Sequence, residues 1–381
     1  MTTPRAGQIA ERLTAYAEEL RAAGAIRTDP VQAAFASVPR HRFLPHFRYR
    51  AGDYTLDTTS EPPGEVLDIV YANNALLTHT GGDGNPTSSS SAPSIMAKML
   101  EALELRPGLR TLEIGAGTGY NAALVHHITG APVVTVEFGR HTATEAATAL
   151  RALGLHEGVR VIHSDGYLGY PDGAPYDRII VTCGIAGIPP GWLDQLAPDA
   201  LIIASVAHAG VHPILAISYH GYHGSGALEG RALLWGDFMP AAGPLRPAGL
   251  FHHDPARDIP TTDARHVPDA GPVLDHSQYH DLWCYLGTRD TRITRAYPDT
   301  DAFDLTLGAC ALLDPDAGTA WIHTDGTMTT TGNPEIGDQL ATLVQRWDIT
   351  GRPRVGDWTM QWRDPNPAGL LLPHRWRLRH R

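Results

Sequence analysis

Between residues 109 and 206, apolar runs of strand length alternate with segments of helical periodicity, and this alternation restricts the fold more than any other feature. Strands are predicted over 110–114, 133–137, 159–163, 176–182 and 200–206, with helices over 120–128, 142–153 and 190–196. Strands separated by helices of this length form a parallel sheet covered on both faces, an α/β architecture. Two further strands, 214–219 and 231–238, flank a Gly-rich stretch at 221–230 and predict an antiparallel hairpin that finishes the sheet.

The flanking chain has a different character. Residues 9–23 and 31–38 place apolar side chains at helical spacing, the second stretch ending before Pro39. From 49 to 86 the periodicity fades into Gly, Asp, Pro and Thr and predicts irregular chain. Four serines at 88–91 then meet Ala92-Pro93 and a helix over 94–105. Beyond 243, Pro, Asp and His are frequent to about 271. A helix over 275–286, strands over 303–313 and 320–330 with a turn at Asp325-Gly326, and a helix over 334–347 follow.

Composition narrows the partners. A formal charge of −11, from 30 basic and 41 acidic residues, argues against extended contact with a nucleic-acid backbone. Apolar runs are too short to span a bilayer, and residues 1–20 lack the pattern of a signal peptide, so a cytoplasmic protein without a membrane partner is expected. Cys183, Cys284 and Cys310 are scattered, form no CxxC pair and predict reduced thiols.

The strand ending Leu112-Glu113-Ile114 runs into Gly115, Gly117 and Gly119 before a helix starts at Tyr120. Glycines at such a turn let backbone approach a ligand closely, and the helix N-terminus favours an anion. The dinucleotide fingerprint is GxGxxG, whereas this loop is GxGxG preceded by Glu113. Glu137 ends the next strand, where an acid accepts the hydroxyls of a ribose, and Asp165-Gly166 ends the third, suited to an adenine edge. All three loops lie at carboxyl ends of neighbouring strands, where open α/β sheets bind ligands.

With these residues the chain resembles the protein-L-isoaspartate O-methyltransferase family. The resemblance rests on Val38-Pro39-Arg40-His41-Arg42-Phe43-Leu44-Pro45, Ser91-Ala92-Pro93, Leu112-Glu113-Ile114-Gly115-x-Gly117-x-Gly119-Tyr120, Ser164-Asp165-Gly166 and Ala174-Pro175-Tyr176-Asp177-Arg178-Ile179-Ile180-Val181-Thr182, with Ile188-Pro189 and Leu193-x-Gln195-Leu196, over about residues 33–242. It implies a Rossmann-like class I methyltransferase sheet, S-adenosylmethionine as donor, and a peptide or protein acceptor bearing Asp or isoAsp. The expected cofactor contacts are Ser90, Glu113, Gly115, Gly117, Gly119, Glu137, Asp165 and Gly166. In the family the serine matching Ser91 lies beside the methyl-transfer site, and Ser91 is expected to be the catalytic residue.

Carboxylate methylation needs little acid or base catalysis, because the acceptor is already ionised at neutral pH. It is a task of positioning and desolvation. Ser91 precedes Pro93, a favoured first helical residue, so its hydroxyl and the free amides of the next turn are expected to cradle an anion; its alternative role is to cap the helix. Arg40, Arg42, Arg48 and Arg50 are read as surface or structural and left out of the site. His276, His280 and Cys284 have the i, i+4, i+8 spacing of metal ligands on a helix but lack an acidic helper, and no metal is assigned. Cys183 is expected in the core or a pocket wall, and the arginine-alternating tail at 374–381 in a solvated terminus.

The chain departs from the family's repair enzymes in an expanded 48–87 segment, in Pro198-Asp199-Ala200 where a double glycine is usual, and in its continuation past 244. With the serine-rich segment, these features resemble a bacterial branch associated with ribosomally synthesised peptides such as lanthipeptides and graspetides. That resemblance implies esterification of an aspartate in a shaped peptide, followed by loss of methanol to an aspartimide that opens to isoaspartate. The alternatives are isoaspartyl repair and a catalytically silent cofactor-binding module. The expected division is an N-terminal helical and substrate-side segment at 1–105, a methyltransferase core at 106–243, and an α+β extension at 244–381 for substrate recognition.

Overall fold

The computed structural model describes residues 6–82, 84–222, 225–247, 256–259, 261, 263–298 and 308–379. The N-terminal part comprises α1 (Ala6–Ala22), α2 (Asp29–Ser37), β1 (His46–Tyr49), β2 (Gly52–Thr55), α3 (Gly64–Tyr71), β3 (Leu76–Thr80), β4 (Pro86–Ser90) and α4 (Pro93–Ala102). Next come β5 (Thr111–Ile114), α5 (Tyr120–Thr129), β6 (Val133–Glu137), α6 (Arg140–Ala152), β7 (Val159–His163), β8 (Tyr176–Ile185), α7 (Pro190–Leu193), β9 (Leu196–Val206), β10 (Ile214–Tyr222) and β11 (Ser225–Leu234). The remainder holds β12 (Ala256–Ile259), β13 (Arg265–Val267), α8 (His276–Arg289), β14 (Ile293–Pro298), β15 (Ala309–Asp314), β16 (Gly318–Ile322), β17 (Met328–Gly332), α9 (Glu335–Ile349), β18 (Trp358–Trp362) and β19 (Pro373–Leu378).

The central sheet has nine strands in the order β19-β18-β11-β10-β9-β8-β5-β6-β7. β5 to β9 run parallel, and β10, β11, β18 and β19 extend the sheet antiparallel. Side chains in β8, β9 and β10 divide between two cores by alternation. Ile179, Val181, Ile202, Ala204, Leu215 and Ile217 join one cluster, and Ile180, Ile203, Ile214 and Ala216 the other. The N-terminal helices cover the second face, while Trp192 and the C-terminal Trp283 and Leu286 help cover the first. Strands apolar on both faces explain why the alternation was legible as a buried parallel sheet.

Three expectations are corrected. The segment 49–86 is not irregular: α3 lies within it, and β1, β2, β3 and β4 form a sheet in the order β2-β1-β3-β4. These strands are only four or five residues long and β4 is Pro-Thr-Ser-Ser-Ser, so no apolar alternation marks them. The second hairpin strand lies at Ser225–Leu234 rather than 231–238, running through residues read as a loop. Gly230 belongs there because a Cβ would strike Met360 of the neighbouring β18.

The tail is the third correction, since β19 is an edge strand with Arg375 and Arg377 exposed and Trp376 packed against His208 at 4.4 Å. Its alternation is that of a half-buried strand, with charge on the outward positions. A six-stranded sheet, β12-β14-β15-β16-β17-β13, forms the rest of the C-terminal part, with α8 and α9 packed together. The β16–β17 hairpin turns at Gly326, φ 85°, as Asp325-Gly326 predicts. Of the strand expected over 303–313, residues 303–307 lie outside the described residues. No described helix is long and apolar enough to cross a membrane.

Candidate active site

A cavity of about 880 Å³ opens at the carboxyl ends of β5 and β6 and reaches across to β4 and the chain following β11. Its floor is the glycine loop. Gly115 has φ 94°, and a Cβ there would lie 2.8 Å from Thr182 Oγ1, whose hydroxyl donates to the Gly115 carbonyl at 2.6 Å. Gly117, φ 52°, would bring a Cβ to 3.3 Å from the Ser89 carbonyl. Gly166 lines the cavity where any Cβ would meet Ile114 at 2.6 Å. Gly115 and Gly166 leave no room for a Cβ, and Gly115 and Gly117 hold a positive φ that glycine adopts without strain.

Gly119 plays another part. It is the left-handed N-cap of α5, and a Cβ would sit 3.4 Å from both Ala146 and Leu150 of α6, away from the cavity lining.

The acids also separate by role. Glu137 lines the cavity, accepting from Gly117 N at 3.0 Å and Gly139 N at 2.9 Å. Two carboxylate oxygens carry about four acceptor positions, so both remain able to take ribose hydroxyls. Glu113 borders the same space but is fully buried, accepting from Thr135 Oγ1 at 2.6 Å and Asn121 Nδ2 at 2.7 Å. Burial pushes its carboxyl up to about 7 against the pull of those two bonds. It braces the loop from behind. Asp165 accepts from Tyr167 N at 2.9 Å, capping the short turn after β7, and does not line the cavity.

Phe138 is a residue the sequence reading missed. It is 52% exposed at the cavity wall next to Glu137, and among the described residues no other ring stacks on it, so its face is open to a purine. The glycine cradle, the free acceptor positions of Glu137 and this face together fit S-adenosylmethionine.

Beside the loop, with the Ser89 carbonyl next to Gly117, stand the serines. Ser88, Ser89, Ser90 and Ser91 all line the cavity. Arg40, fully buried, holds them: Nε donates to Ser90 Oγ at 3.2 Å, and Nη2 donates to the Ser90 carbonyl at 3.1 Å and the Ser91 carbonyl at 3.0 Å. Its other bonds go to the Val70 and Asn74 carbonyls. Arg40 is therefore structural, as read, yet it shapes the site. Its position in the Pro39-Arg40-His41 motif was the available signal.

The anion cradle expected after Ser91 is corrected. Ser94 N donates to Asn73 Oδ1 at 2.9 Å, and the amides of Ile95 and Met96 donate to the Ala92 carbonyl. Pro93 has no N–H, so the first turn of α4 has no amide to spare. Ala92, not Ser91, is the N-cap. What Ser91 offers the cavity is its hydroxyl.

The outer wall comes from chain that the sequence reading left out. Trp235 and Asp237 follow β11, and His280 lies on α8; all three line the cavity. Trp235 stacks on His280 with centroids 4.3 Å apart and an interplanar angle of 4°. Asp237 receives Arg295 Nη2 of β14 at 2.7 Å and lies 3.7 Å from His212 Nδ1. Burial would raise its pKa, but the nearby His212 ring and the Arg295 guanidinium outweigh that and hold it below the ordinary value. Among the described residues His276, His280 and Cys284 do not gather as ligands, and Cys284 is buried, its carbonyl taken by His208. Cys183 lines the cavity, with burial pushing its thiol up to about 12.

The family profile "Protein-L-isoaspartate(D-aspartate) O-methyltransferase (PCMT)" matches residues 11–220. Curated protein-L-isoaspartate O-methyltransferases from Thermotoga maritima and Methanopyrus kandleri are 36% identical over 181 residues and 35% over 191. The matches cover 47% and 50% of this chain, with about half, 51%, of the Thermotoga protein's length and 74% of the Methanopyrus protein's. A solved structure named protein-L-isoaspartate O-methyltransferase superposes with a TM-score of 0.53 at 25% identity, covering 91% of this chain and 95% of the other. That match runs past residue 244, so continuation beyond the sheet does not by itself set this chain apart from a protein of that name. The profile spans more than half of the sequence with the glycine loop and the serine segment inside it, and the chain belongs to the protein-L-isoaspartate O-methyltransferase family, whose reaction is S-adenosylmethionine-dependent carboxyl O-methylation.

Proposed function

We propose that this chain methylates a carboxylate of an isoaspartyl residue in a peptide or protein. The observation that carries the reading is that the serines held by Arg40 and the loop held by Glu137 line one cavity side by side, the Ser89 carbonyl lying next to Gly117. Bound S-adenosylmethionine supplies an electrophilic methyl group. Glu137 would hold the ribose, Phe138 the purine, and the glycine loop the chain between them. The Ser91 hydroxyl donates to one oxygen of the acceptor carboxylate and turns the other toward the methyl. Trp235 and His280 exclude water from that end. An oxygen–methyl bond forms as the sulfur–methyl bond breaks, giving a methyl ester and S-adenosylhomocysteine, and no proton needs to move. Ser91 is thus the positioning donor and Asp165 the cap of the adenine-side turn. We assign the reaction to the cytoplasm, in keeping with three free cysteines.

A second reading, aspartate esterification in a constrained ribosomal peptide with subsequent aspartimide formation, is favoured by one feature. His280 and, through Asp237, Arg295 bring residues beyond 244 into the acceptor wall, where they would select a shaped substrate. The decisive experiment incubates the chain and S-adenosylmethionine with a linear isoaspartyl peptide and a cyclic aspartyl peptide, followed by mass spectrometry. Methylation of the linear peptide supports the first reading. Methyl gain then methanol loss on the cyclic peptide alone replaces it with the second, and cofactor binding without transfer to either leaves a silent module.

A further inference from the structure

Outside the cavity, three imidazoles converge on one carboxylate. β1 and β3 pair antiparallel with Arg48 opposite Leu77, so a step of two residues along each strand sets His46 opposite His79. Their rings are 4.9 Å apart. Glu145 and His141 come from α6 at i, i+4 spacing and so share a face of that helix. His79 Nε2 lies 2.8 Å from Glu145 Oε2, while His141 Nε2 and His46 Nδ1 lie 3.3 and 3.6 Å from Oε1. One ligand atom from each of His46, His79 and Glu145 falls within 4.8 Å of the others.

We propose that the cluster His46, His79 and Glu145 binds a divalent transition metal of the zinc class, with His141, exposed on α6 and 3.3 Å from Glu145 Oε1, turning in as the fourth ligand. Zinc takes imidazole nitrogen and carboxylate oxygen at about 2.0–2.2 Å in a tetrahedron, whose edges are then about 3.3 Å. His141 and His46 stand 3.3 and 3.6 Å from the same oxygen, Oε1, close to that edge, while His79 meets Oε2 at 2.8 Å. Three neutral imidazoles and one carboxylate form a set with charge of about −1, borderline-soft donors that suit zinc better than the all-oxygen sets of calcium or magnesium. The ligands sit on separate elements, so the metal would fasten the N-terminal sheet to α6. That sheet carries the serines on β4, which pairs with β3 at Leu76–Ser90, and α6 packs on Gly119. A small cavity bounded by His46, His79, Glu145, Gly117 and Thr118 adjoins the cluster, placing the metal directly behind the glycine loop. Its role is to brace the two walls of the active cavity, not to act on the methyl group, and it stands whether or not the acceptor assignment holds.

The test uses the full chain without an affinity tag, stripped with chelator and desalted. Zinc titrated calorimetrically should bind with one equivalent per chain and raise Tm by a few degrees. Cobalt(II) should give the visible absorption of a tetrahedral site. Since even partners of ligands are worth about 10–100-fold in metal affinity, His79→Ala and Glu145→Gln should each weaken zinc at least about tenfold. His141→Ala, on an exposed helix surface, repeats the test without risk to the fold. A retained thermal shift with S-adenosylhomocysteine reports that each variant is folded. No saturable zinc binding by the parent chain, or binding that His79→Ala and His141→Ala leave unchanged, overturns the proposal.

Discussion

Arg40 and Ser90 are joined twice, guanidinium Nε to the serine hydroxyl at 3.2 Å and Nη2 to its carbonyl at 3.1 Å, with both side chains buried. The fork of the guanidinium meets several acceptors at fixed angles, which an ammonium cannot reproduce. Arg40→Lys therefore strands buried carbonyls, each costing about 1–3 kcal/mol. Denaturant unfolding should show a loss of roughly 3 kcal/mol, and kcat/KM with an isoaspartyl peptide should fall by about 100-fold because the serine wall shifts. Unchanged stability would show that the segment holds its shape without the arginine.

The glycine loop gives a prediction on cofactor affinity. Gly115→Ala places a Cβ against Thr182 Oγ1 at 2.8 Å and holds alanine at φ 94°. The positive φ alone costs about 1–2 kcal/mol. Calorimetry should find S-adenosylhomocysteine bound at least about tenfold more weakly. Equal affinity would mean that the loop relaxes freely and that its close approach to β8 is incidental.

How far the sequence carries differs between the two walls of the cavity. The loop side of the cavity was legible as geometry, because Glu113, Gly115, Gly117 and Glu137, which line it, are spaced by the strand–helix repeat itself and strand ends bind ligands in such sheets. Its finer assignments were not: whether Gly119 faces the ligand or α6, and whether Asp165 points inward or caps a turn, depends on side-chain direction that spacing does not encode. The side built from Trp235, Asp237 and His280 was hardly legible. Trp235 meets His280 across 45 positions of sequence, and Arg295 reaches Asp237 from another strand. Such contacts arise from tertiary packing, and the polar strands β1 to β4 carry no periodic signal to reveal the sheet that presents the serines.

Glu113 makes stability depend on pH. Burial raises its carboxyl from 4.5 to about 7, so between those values the folded chain holds more protons than the unfolded chain. Its contribution is therefore full below pH 4.5 and is lost as pH rises through about 7, a change on the order of 3 kcal/mol. Glu113→Gln keeps a partner for both Asn121 and Thr135 but removes the proton. The stability difference between parent and variant, measured by urea unfolding at pH 4.5 and 7.5, should shift by that order in favour of the variant at the higher pH. Parallel pH curves would contradict it. His41 and His280, both lowered to about 4 chiefly by burial, act in the opposite direction, and comparison with the variant cancels them.

The stacked pair on the outer wall separates acceptor from donor. Trp235→Ala removes a large face from the cavity and leaves His280 without its stacking partner, while Glu137 and Phe138 line the cavity from the separate β6 end. An aromatic stack contributes about 0.5–1.5 kcal/mol beyond area burial. KM for the peptide should rise by about three- to tenfold with S-adenosylhomocysteine affinity unchanged. An equal loss in both would place the tryptophan in the fold rather than in acceptor binding.

Ser91→Ala isolates the methyl-transfer geometry. The hydroxyl borders the cavity, and neighbouring backbone amides are already bonded to Asn73 and Ala92, so no nearby donor on α4 replaces it. A hydrogen bond to a charged group contributes about 1.5–3 kcal/mol, which corresponds to a fall of about 10–150-fold in kcat/KM. Arg40 grips the Ser91 carbonyl rather than its side chain, so the alanine variant keeps the backbone in place. Its Tm and its affinity for S-adenosylhomocysteine should match the parent. Thr in the same position restores a hydroxyl and should recover part of the rate, whereas recovery equal to alanine would assign Ser91 a packing role and shift the search for the carboxylate donor to Ser88 and Ser89.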